Sequence, residues 1–144
     1  MENIEAVLDV LTSSHRLGLA VARETGSTTP AAQWRALSVL HKHGPLRLGA
    51  LAAACRVTQP GITRLVRGMT VSGLVEKHPD PSDARAVVIR ITDAGRAARA
   101  DWIETVRTVL APRFADLTDD EWAAVLTTAA LLEARTADVT IGAE

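Results

Sequence analysis

Residues 58 to 69 alternate polar and apolar side chains with the spacing of an α-helix. The apolar members form a stripe that would face a protein core: Ile62, Leu65, Val66 and Met69. The polar members would then face outward: Gln59, Thr63, Arg64 and Arg67. Glutamine can pair bidentately with adenine and arginine with guanine, while threonine can contact the methyl group of thymine. This face therefore has the chemistry to read base edges in the major groove of DNA.

The start of this segment also suits contact with a nucleic acid. Thr58 is predicted to be the N-cap, with Val57 and Ile62 forming a hydrophobic staple across the first turn. A helix N-terminus and a hydroxyl group both suit phosphate oxygens. Gly73 favours the left-handed conformation that ends a helix. The candidate DNA contacts of this helix are Thr58, Gln59, Pro60, Gly61, Thr63, Arg64 and Arg67.

A hairpin is predicted directly after this helix. Residues 74–77 and 86–91 have the β-branched, alternating pattern of strands, and they flank the segment His78–Arg85. The prolines of that segment favour a tip longer than a two-residue turn. Arg85 near the tip suits the narrow, electronegative minor groove of A·T-rich DNA. Asp83 is expected to orient the Arg85 guanidinium through a charge-assisted pair.

Helical periodicity and capping signals predict the remaining elements. Thr29 with Pro30 predicts the start of a second helix, Thr92 can cap a long helix after the hairpin, and Thr118 with Glu121 matches a capping box. Two short helices joined by a tight turn and followed at once by a hairpin indicate a winged helix-turn-helix. The expected fold class is mainly α with a small β-hairpin wing, and with N- and C-terminal helices that mediate dimerisation.

The formal net charge of −1 is unevenly distributed along the 144 residues. Residues 41–100 contain ten basic and four acidic residues, whereas the rest of the chain contains six basic and thirteen acidic residues. A basic middle between acidic ends is expected when one part of a protein contacts phosphates and the rest does not. The charge balance alone is equally compatible with chance clustering on a solvated surface.

Several other classes of protein are excluded. No apolar run approaches the roughly 18 residues of a membrane span, and the acidic N-terminal segment is unlike a signal peptide. Cys55 is the one cysteine, so no intramolecular disulfide can form and a cytoplasmic location is expected. No cofactor or metal site is implied, because the four histidines lack convergent partners. No catalytic arrangement of side chains emerges, so the chain is not expected to be an enzyme.

Six segments carry a set of family motifs: Trp34–Leu37, Gly44–Ala52, Thr58–Val66, Gly73–Glu76, Asp80–Ile91 and Thr92–Gly95. Together they resemble the MarR family (multiple antibiotic resistance regulators), most specifically in the Asp-Ala-Arg motif of the wing and the downstream Thr-Asp-Ala-Gly. The resemblance implies a single domain over residues 1–144. Its DNA-binding lobe would span about residues 30–96, and its dimerisation helices about residues 1–25 and 97–138.

The same resemblance implies a function. Family members are homodimers that place two recognition helices and two wings on palindromic double-stranded DNA. The expected role is a repressor that is relieved by a small aromatic or phenolic ligand. Two residues depart from the family pattern: Gly61 stands where Ser or Thr is usual, and Gly68 where a charged residue is usual. Both bear on the operator sequence and not on DNA binding itself.

The effector site and the mode of regulation stay open at this point. In the family, phenolic or aromatic acids often bind between the dimer helices and the DNA-binding lobe, which His15, Arg16 and Trp34 would border. Arg16 could bind a carboxylate, but Trp34 could equally be a core residue and Arg16 a dimer salt-bridge partner. One alternative is a redox-responsive repressor acting through Cys55, although a buried cysteine usually behaves as a small hydrophobe. The other is a winged-helix protein-interaction module that does not bind DNA.

Overall fold

Helices dominate the computed structural model, which describes residues 2–137 and 139. Its elements are α1 (Glu2–Thr25), α2 (Ala31–His43), β1 (Leu46–Arg47), α3 (Leu48–Cys55), α4 (Gln59–Val71), β2 (Val75–Asp80), β3 (Asp83–Ile91), α5 (Asp93–Leu110), a 3-10 helix (Ala111–Phe114) and α6 (Asp119–Arg135). The three strands form one antiparallel sheet in the order β1-β3-β2. This architecture confirms the predicted mainly helical chain with a winged helix-turn-helix, and it adds β1, which the sequence did not predict.

The chain divides into two compact units. The described residues of the first are 2–29 and 103–116, and those of the second are 30–102, 117–137 and 139. Within the first unit, Val21 is buried and the Arg113 guanidinium pairs with the Glu24 carboxylate. The helix-turn-helix and the wing both belong to the second unit. The predicted assignment of one domain with a lobe at about 30–96 stays a prediction.

A single apolar cluster supports the helix-turn-helix. Its buried members come from α2, α3, α4, β2 and β3: Ala36, Leu37, Leu40, Leu51, Ala52, Cys55, Ile62, Val66, Met69, Val75 and Ile89. Val57 and Leu65 pack against it from the edge. Each buried large side chain of such a cluster contributes about 1.5–3 kcal/mol relative to exposure. The predicted inward stripe of α4 is therefore confirmed.

Threonine caps begin three of the helices. Thr58 Oγ1 accepts a hydrogen bond from Gly61 N at 3.2 Å, and Thr92 Oγ1 accepts one from Gly95 N at 3.0 Å. Thr118 and Glu121 form the reciprocal capping box. These three predictions are confirmed. The predicted cap at Thr29 is wrong: α2 begins at Ala31 after Pro30, and no side chain caps it.

The start of α5 is tied to the turn that follows α4. Gly73 has φ +73°, as predicted for the end of that helix, and its carbonyl accepts a hydrogen bond from Thr92 Oγ1 at 2.5 Å. A Cβ atom on Gly95 would overlap the carbonyl oxygen of Leu74, so no larger residue fits there without a shift. The Thr-Asp-Ala-Gly motif therefore joins three elements at one point: the end of α4, the base of the wing and the first turn of α5.

The wing is longer and its tip tighter than predicted. Strand β2 continues through His78 and Pro79 to Asp80, and only Pro81 and Ser82 form the turn. The prediction of a long tip is wrong because Pro79 lies on β2, an edge strand, where a missing N–H costs no ladder bond. The register shifts between the pairs Pro79↔Val87 and Asp80↔Asp83, so β3 bulges over residues 84–86.

An ion pair that the sequence did not predict holds the tip of the wing. Arg47 Nε in β1 donates to Asp80 Oδ2 at 2.6 Å, and the two residues lie on the strands that flank β3. The backbone N–H and the hydroxyl of Ser82 donate to Asp80 Oδ1 at 2.9 and 2.8 Å. The Asp80 side chain is only 11% exposed. The Ser82 hydrogen bonds, followed by the Arg47 contact, lower the pKa of Asp80 to about 2.

Arg56, in the turn between α3 and α4, has an unusual backbone conformation. Its φ of 55° and ψ of 45° lie in the left-handed region. Among the described residues it is the one non-glycine with a positive φ. An L-residue with a side chain pays roughly 1–2 kcal/mol for this conformation, which glycine adopts freely.

The lowered pKa of Asp80 predicts an acid-dependent contribution to stability. Because its pKa is depressed from 3.8 to about 2 in the folded protein, the contribution is fully present above about pH 4 and lost as pH falls through 2. Asp80→Asn should therefore lower the free energy of unfolding at neutral pH, and the difference from wild type should shrink between pH 4 and pH 2. Urea unfolding at fixed protein concentration measures this, with exposed Asp116→Asn as the matched loss of one carboxylate. A difference that persists unchanged at pH 2 contradicts the prediction.

Candidate nucleic-acid interface

The outward face of α4 is exposed, and three of its polar side chains have no partner in the described part of the chain. Gln59, Thr63, Arg64 and Arg67 are all exposed, as their spacing predicted. Within the described part of the chain, no hydrogen bond or ion pair engages the side chains of Gln59, Arg64 or Arg67. A shallow, open depression of about 470 Å³ lies over this face and is lined by Gln59, Pro60, Thr63, Arg64 and Arg67. Unpaired donors on an exposed helix are available for an external acceptor such as a base edge or a phosphate.

Thr63 differs from its neighbours on this face. Its hydroxyl donates to the Gln59 carbonyl oxygen at 2.9 Å, so its hydrogen is used within the helix. What it can offer an external partner is its methyl group and the remaining acceptor capacity of its oxygen. A methyl contact with thymine is therefore favoured over donation of a hydrogen bond to a base.

The first turn of α4 explains one of the two departures from the family pattern. Gly61 N is held by Thr58 Oγ1, and a Cβ at position 61 would lie only 3.1 Å from that oxygen. Glycine thus fits closely beneath the cap, and only backbone is available at this position for an external contact. A Cβ atom at position 68 would have no neighbour within 4 Å. Glycine costs a helix about 1 kcal/mol relative to alanine, and nothing in the structure explains its presence at this position.

The wing presents a second exposed arginine. The Arg85 side chain is 95% exposed and lies in the bulge of β3. Asp83 Oδ1 accepts a hydrogen bond from Arg85 N at 3.0 Å, whereas Arg85 Nε is 3.7 Å away. The carboxylate therefore holds the backbone of Arg85 more closely than it holds the guanidinium.

Sequence reasoning placed Asp80 in the hairpin tip but did not predict its pairing with Arg47. A local signal for Asp80 existed, since an aspartate two residues before serine commonly accepts from its backbone and hydroxyl. No signal existed for Arg47, which is 33 residues away along the chain. Arg85 is more exposed than Arg47, because the Arg47 side chain is half-exposed and bound to Asp80.

The predicted effector residues are distributed over both units. His15 and Arg16 are exposed on α1, in the first unit. Trp34 lies on α2, in the second, where its ring stacks on Trp102 with centroids 4.8 Å apart. Its Nε1 is buried and has no hydrogen-bond partner among the described residues. A role of these three residues in ligand binding stays a prediction.

Cys55 lies within the core of the helix-turn-helix. Its side chain is fully buried, and burial raises the pKa of its thiol. A protonated, inaccessible thiol is a poor redox sensor because the thiolate is the reactive form. Residues 2–137 contain no group of three or more His, Cys, Asp or Glu arranged to hold a metal ion. Over the same residues, no helix combines the length and apolarity needed to cross a membrane.

A family model, sequence relatives and solved structures all show similarity to helix-turn-helix regulators. A model of the MarR family matches residues 27–86. An uncharacterised HTH-type transcriptional regulator of Mycobacterium bovis is 32% identical over 88 residues, which cover 56% of this chain and 62% of that protein. The HTH-type transcriptional repressor NicR of Pseudomonas putida is 31% identical over 94 residues, which cover 65% of this chain and 60% of NicR.

A solved structure extends the match beyond these stretches. A MarR family protein from Bacillus stearothermophilus superimposes with a TM-score of 0.75 and 25% identity, covering 96% of this chain and 99% of that one. The match to the two sequence relatives spans less than two thirds of their length, whereas the fold matches nearly throughout. Residues 27–86 thus match the MarR family model, and nearly all of the chain matches the fold of a MarR family protein.

Proposed function

We propose that this chain is a homodimeric, sequence-specific DNA-binding protein that represses transcription from palindromic operators. The observation that carries the proposal is the outward face of α4, where Gln59, Arg64 and Arg67 are exposed and have no partner among the described residues. In a helix-turn-helix, the second helix enters the major groove with its first turns against base edges. The polar face of α4 has the residue types that such a contact requires.

The wing supports the same proposal. Arg85, exposed at the bulge of β3, is suited to the minor groove, whose negative potential is greatest where the groove is narrow. A protein-interaction surface has less need of exposed arginines on both a helix and a hairpin. The two classes differ in salt dependence, since binding to a random duplex should weaken steeply with salt only if phosphates are contacted.

Repression of transcription is a further part of the proposal, in addition to DNA binding. It is supported by the name of NicR, which is a repressor and matches 65% of this chain. A dimer bound across a palindrome near a promoter would exclude other proteins from that site. The redox alternative through Cys55 receives no support, because that thiol is buried and its burial raises the pKa.

Relief by a small aromatic or phenolic ligand is also proposed, with Trp34 as its contact in the second unit. The stacked pair of Trp34 and Trp102 offers an aromatic surface, and Trp34 Nε1 is an unsatisfied buried donor. An unpaired buried donor costs about 1–3 kcal/mol, which an acceptor on a ligand would offset. Repeating the DNA-binding assay in the presence of a phenolic acid tests this part separately.

A dimer is predicted because exposed apolar residues line several helices. On α1 they include Ile4, Leu8 and Leu11, and on α6 Trp122, Val125, Leu126 and Leu132. Exposed apolar faces of this extent are typical of protein interfaces. Light scattering at micromolar concentration should give twice the 15.3 kDa mass of one chain. A mass of one chain would refute the homodimer.

The wing generates a second prediction. Arg85→Ala should weaken DNA binding strongly, while the dimer and the thermal midpoint stay nearly unchanged because the side chain is exposed. Asp83→Ala should weaken binding as well, although it removes a negative charge, because the backbone of Arg85 loses its acceptor. Asp83→Asn is the matched control: it keeps an oxygen acceptor and should lose less affinity than Asp83→Ala. Tighter binding by Asp83→Ala would show that only net charge matters.

Arg64 and Arg67 on α4 are expected to contact DNA in different ways, and this difference gives the most discriminating prediction. Arg64→Ala should cost about 1–3 kcal/mol on the specific site and relax the preference at one base pair in each half-site. Arg67, one turn further on, is expected to contact phosphate, so Arg67→Ala should weaken all sequences alike. It should also flatten the salt dependence by about one unit of slope per half-site.

Both variants should be titrated against a specific and a random duplex over a series of salt concentrations. The specific duplex can be obtained by sequencing the genomic fragments that the protein enriches, and its half-sites should lie about one helical turn apart. Equal losses on both duplexes for Arg64→Ala would show that this residue, too, contacts only phosphate. No binding of wild type to either duplex would overturn the proposed function.

A further inference from the structure

The turn after α3 needs a residue in the left-handed conformation at position 56, but it does not need that residue to be an arginine. The backbone N–H of Arg56 reaches the carbonyl oxygen of Ala53 at 3.1 Å, and Val57 N reaches that of Ala52 at 3.1 Å. These bonds close the end of α3 through a left-handed residue at position 56. Backbone atoms make both bonds, so glycine would satisfy the same turn without strain.

No hydrogen bond or ion pair of the Arg56 side chain within the described chain offsets the energy of this strain. The side chain is exposed, and among residues 2–137 it has no hydrogen bond or ion pair. Two other arginines of the second unit are engaged, Arg47 with Asp80 and Arg96 with Asp93, whereas Arg64 and Arg67 on the outward face of α4 have no partner among the described residues. A strained residue whose side chain makes no hydrogen bond or ion pair within the chain points to a role of that side chain outside the folded chain.

The position of Arg56 indicates what that role is. It directly precedes Val57 and the cap Thr58, and so lies beside the first turn of α4 on the turn of the helix-turn-helix. The first side chain of α4 that has hydrogen-bond donors without a partner is that of Gln59, three residues further on. An exposed guanidinium beside a helix that enters the major groove lies next to the sugar-phosphate backbone that borders the groove.

We infer that Arg56 is a further DNA-contacting residue, which binds a phosphate of the backbone and keeps its strained conformation for that purpose. The inference rests on the proposed DNA-binding function and adds a contact to it. Guanidinium pairs bidentately with phosphate oxygens, and the contact carries no sequence information. Arg56 thus contributes to affinity on every duplex and not to the choice of operator.

The inference predicts opposite effects on stability and on binding. Arg56→Gly should raise the thermal midpoint by about 3 °C, because the strain is relieved. The same variant should bind the specific and the random duplex about tenfold more weakly, with the salt dependence flattened by about one unit of slope per half-site. Arg56→Lys keeps both the charge and the strain, so it should stay within about threefold of wild type in affinity.

Two further variants make the result decisive. Arg56→Asn, which tolerates the left-handed conformation but has no charge, should reproduce the loss of affinity if Arg56→Gly does not fold. Arg135→Ala removes an exposed arginine from α6, outside the helix-turn-helix and the wing, and should change the affinity less than twofold.

The outcomes separate this inference from the proposed function. If wild type binds neither duplex, the proposed function is wrong and the inference falls with it. If wild type binds with a steep salt dependence and Arg56→Gly and Arg56→Asn bind equally well, only the contact by Arg56 is wrong. A loss confined to the specific duplex would also overturn the inference, because a phosphate contact cannot distinguish sequences.

Discussion

Burial of one stripe of α4 determines the geometry of the binding face. Ile62, Val66 and Met69 are almost completely buried, and they fix the rotation of the helix about its own axis. Since successive residues are 100° apart around a helix, the positions between them must face away from the core. A polar replacement in this stripe would both cost core energy and turn the outward residues from their positions. The same few apolar contacts therefore set both the packing of α4 and the direction of the side chains that we propose contact DNA.

The wing shows how acidic residues can serve a basic surface. Asp80 and Asp83 lie at the tip of a hairpin that is expected to approach DNA, where free carboxylates would be repelled. The Asp80 carboxylate is enclosed and accepts from Ser82 and Arg47, while Asp83 accepts from the backbone of Arg85. Each negative charge is thus engaged with local donors and orders the tip. A count of charges along the chain conceals this division of work.

Local signals in the sequence were sufficient for much of the fold. The caps at Thr58, Thr92 and Thr118 were predicted from residues within three positions of each helix start, and the structure has all three. The outward face of α4 followed from the period of its apolar residues. These features depend on neighbours along the chain, so a single sequence contains the information that specifies them. Whether the outward residues bind DNA is a question that the fold alone leaves to experiment.

The features that were missed depend on contacts between distant residues. β1 exists because Leu46 and Arg47 pair with β3, and the tip is short because Pro79 falls on an edge strand. Arg56 belongs to a third kind, since its residue type argues against the conformation that the turn imposes on it. Local preference and global fold usually agree, and where they conflict a functional reason is often the cause. Arg56 and Gly61, two departures from an unstrained or usual pattern, each lie within three residues of an exposed polar side chain of α4, Gln59 and Arg64 respectively.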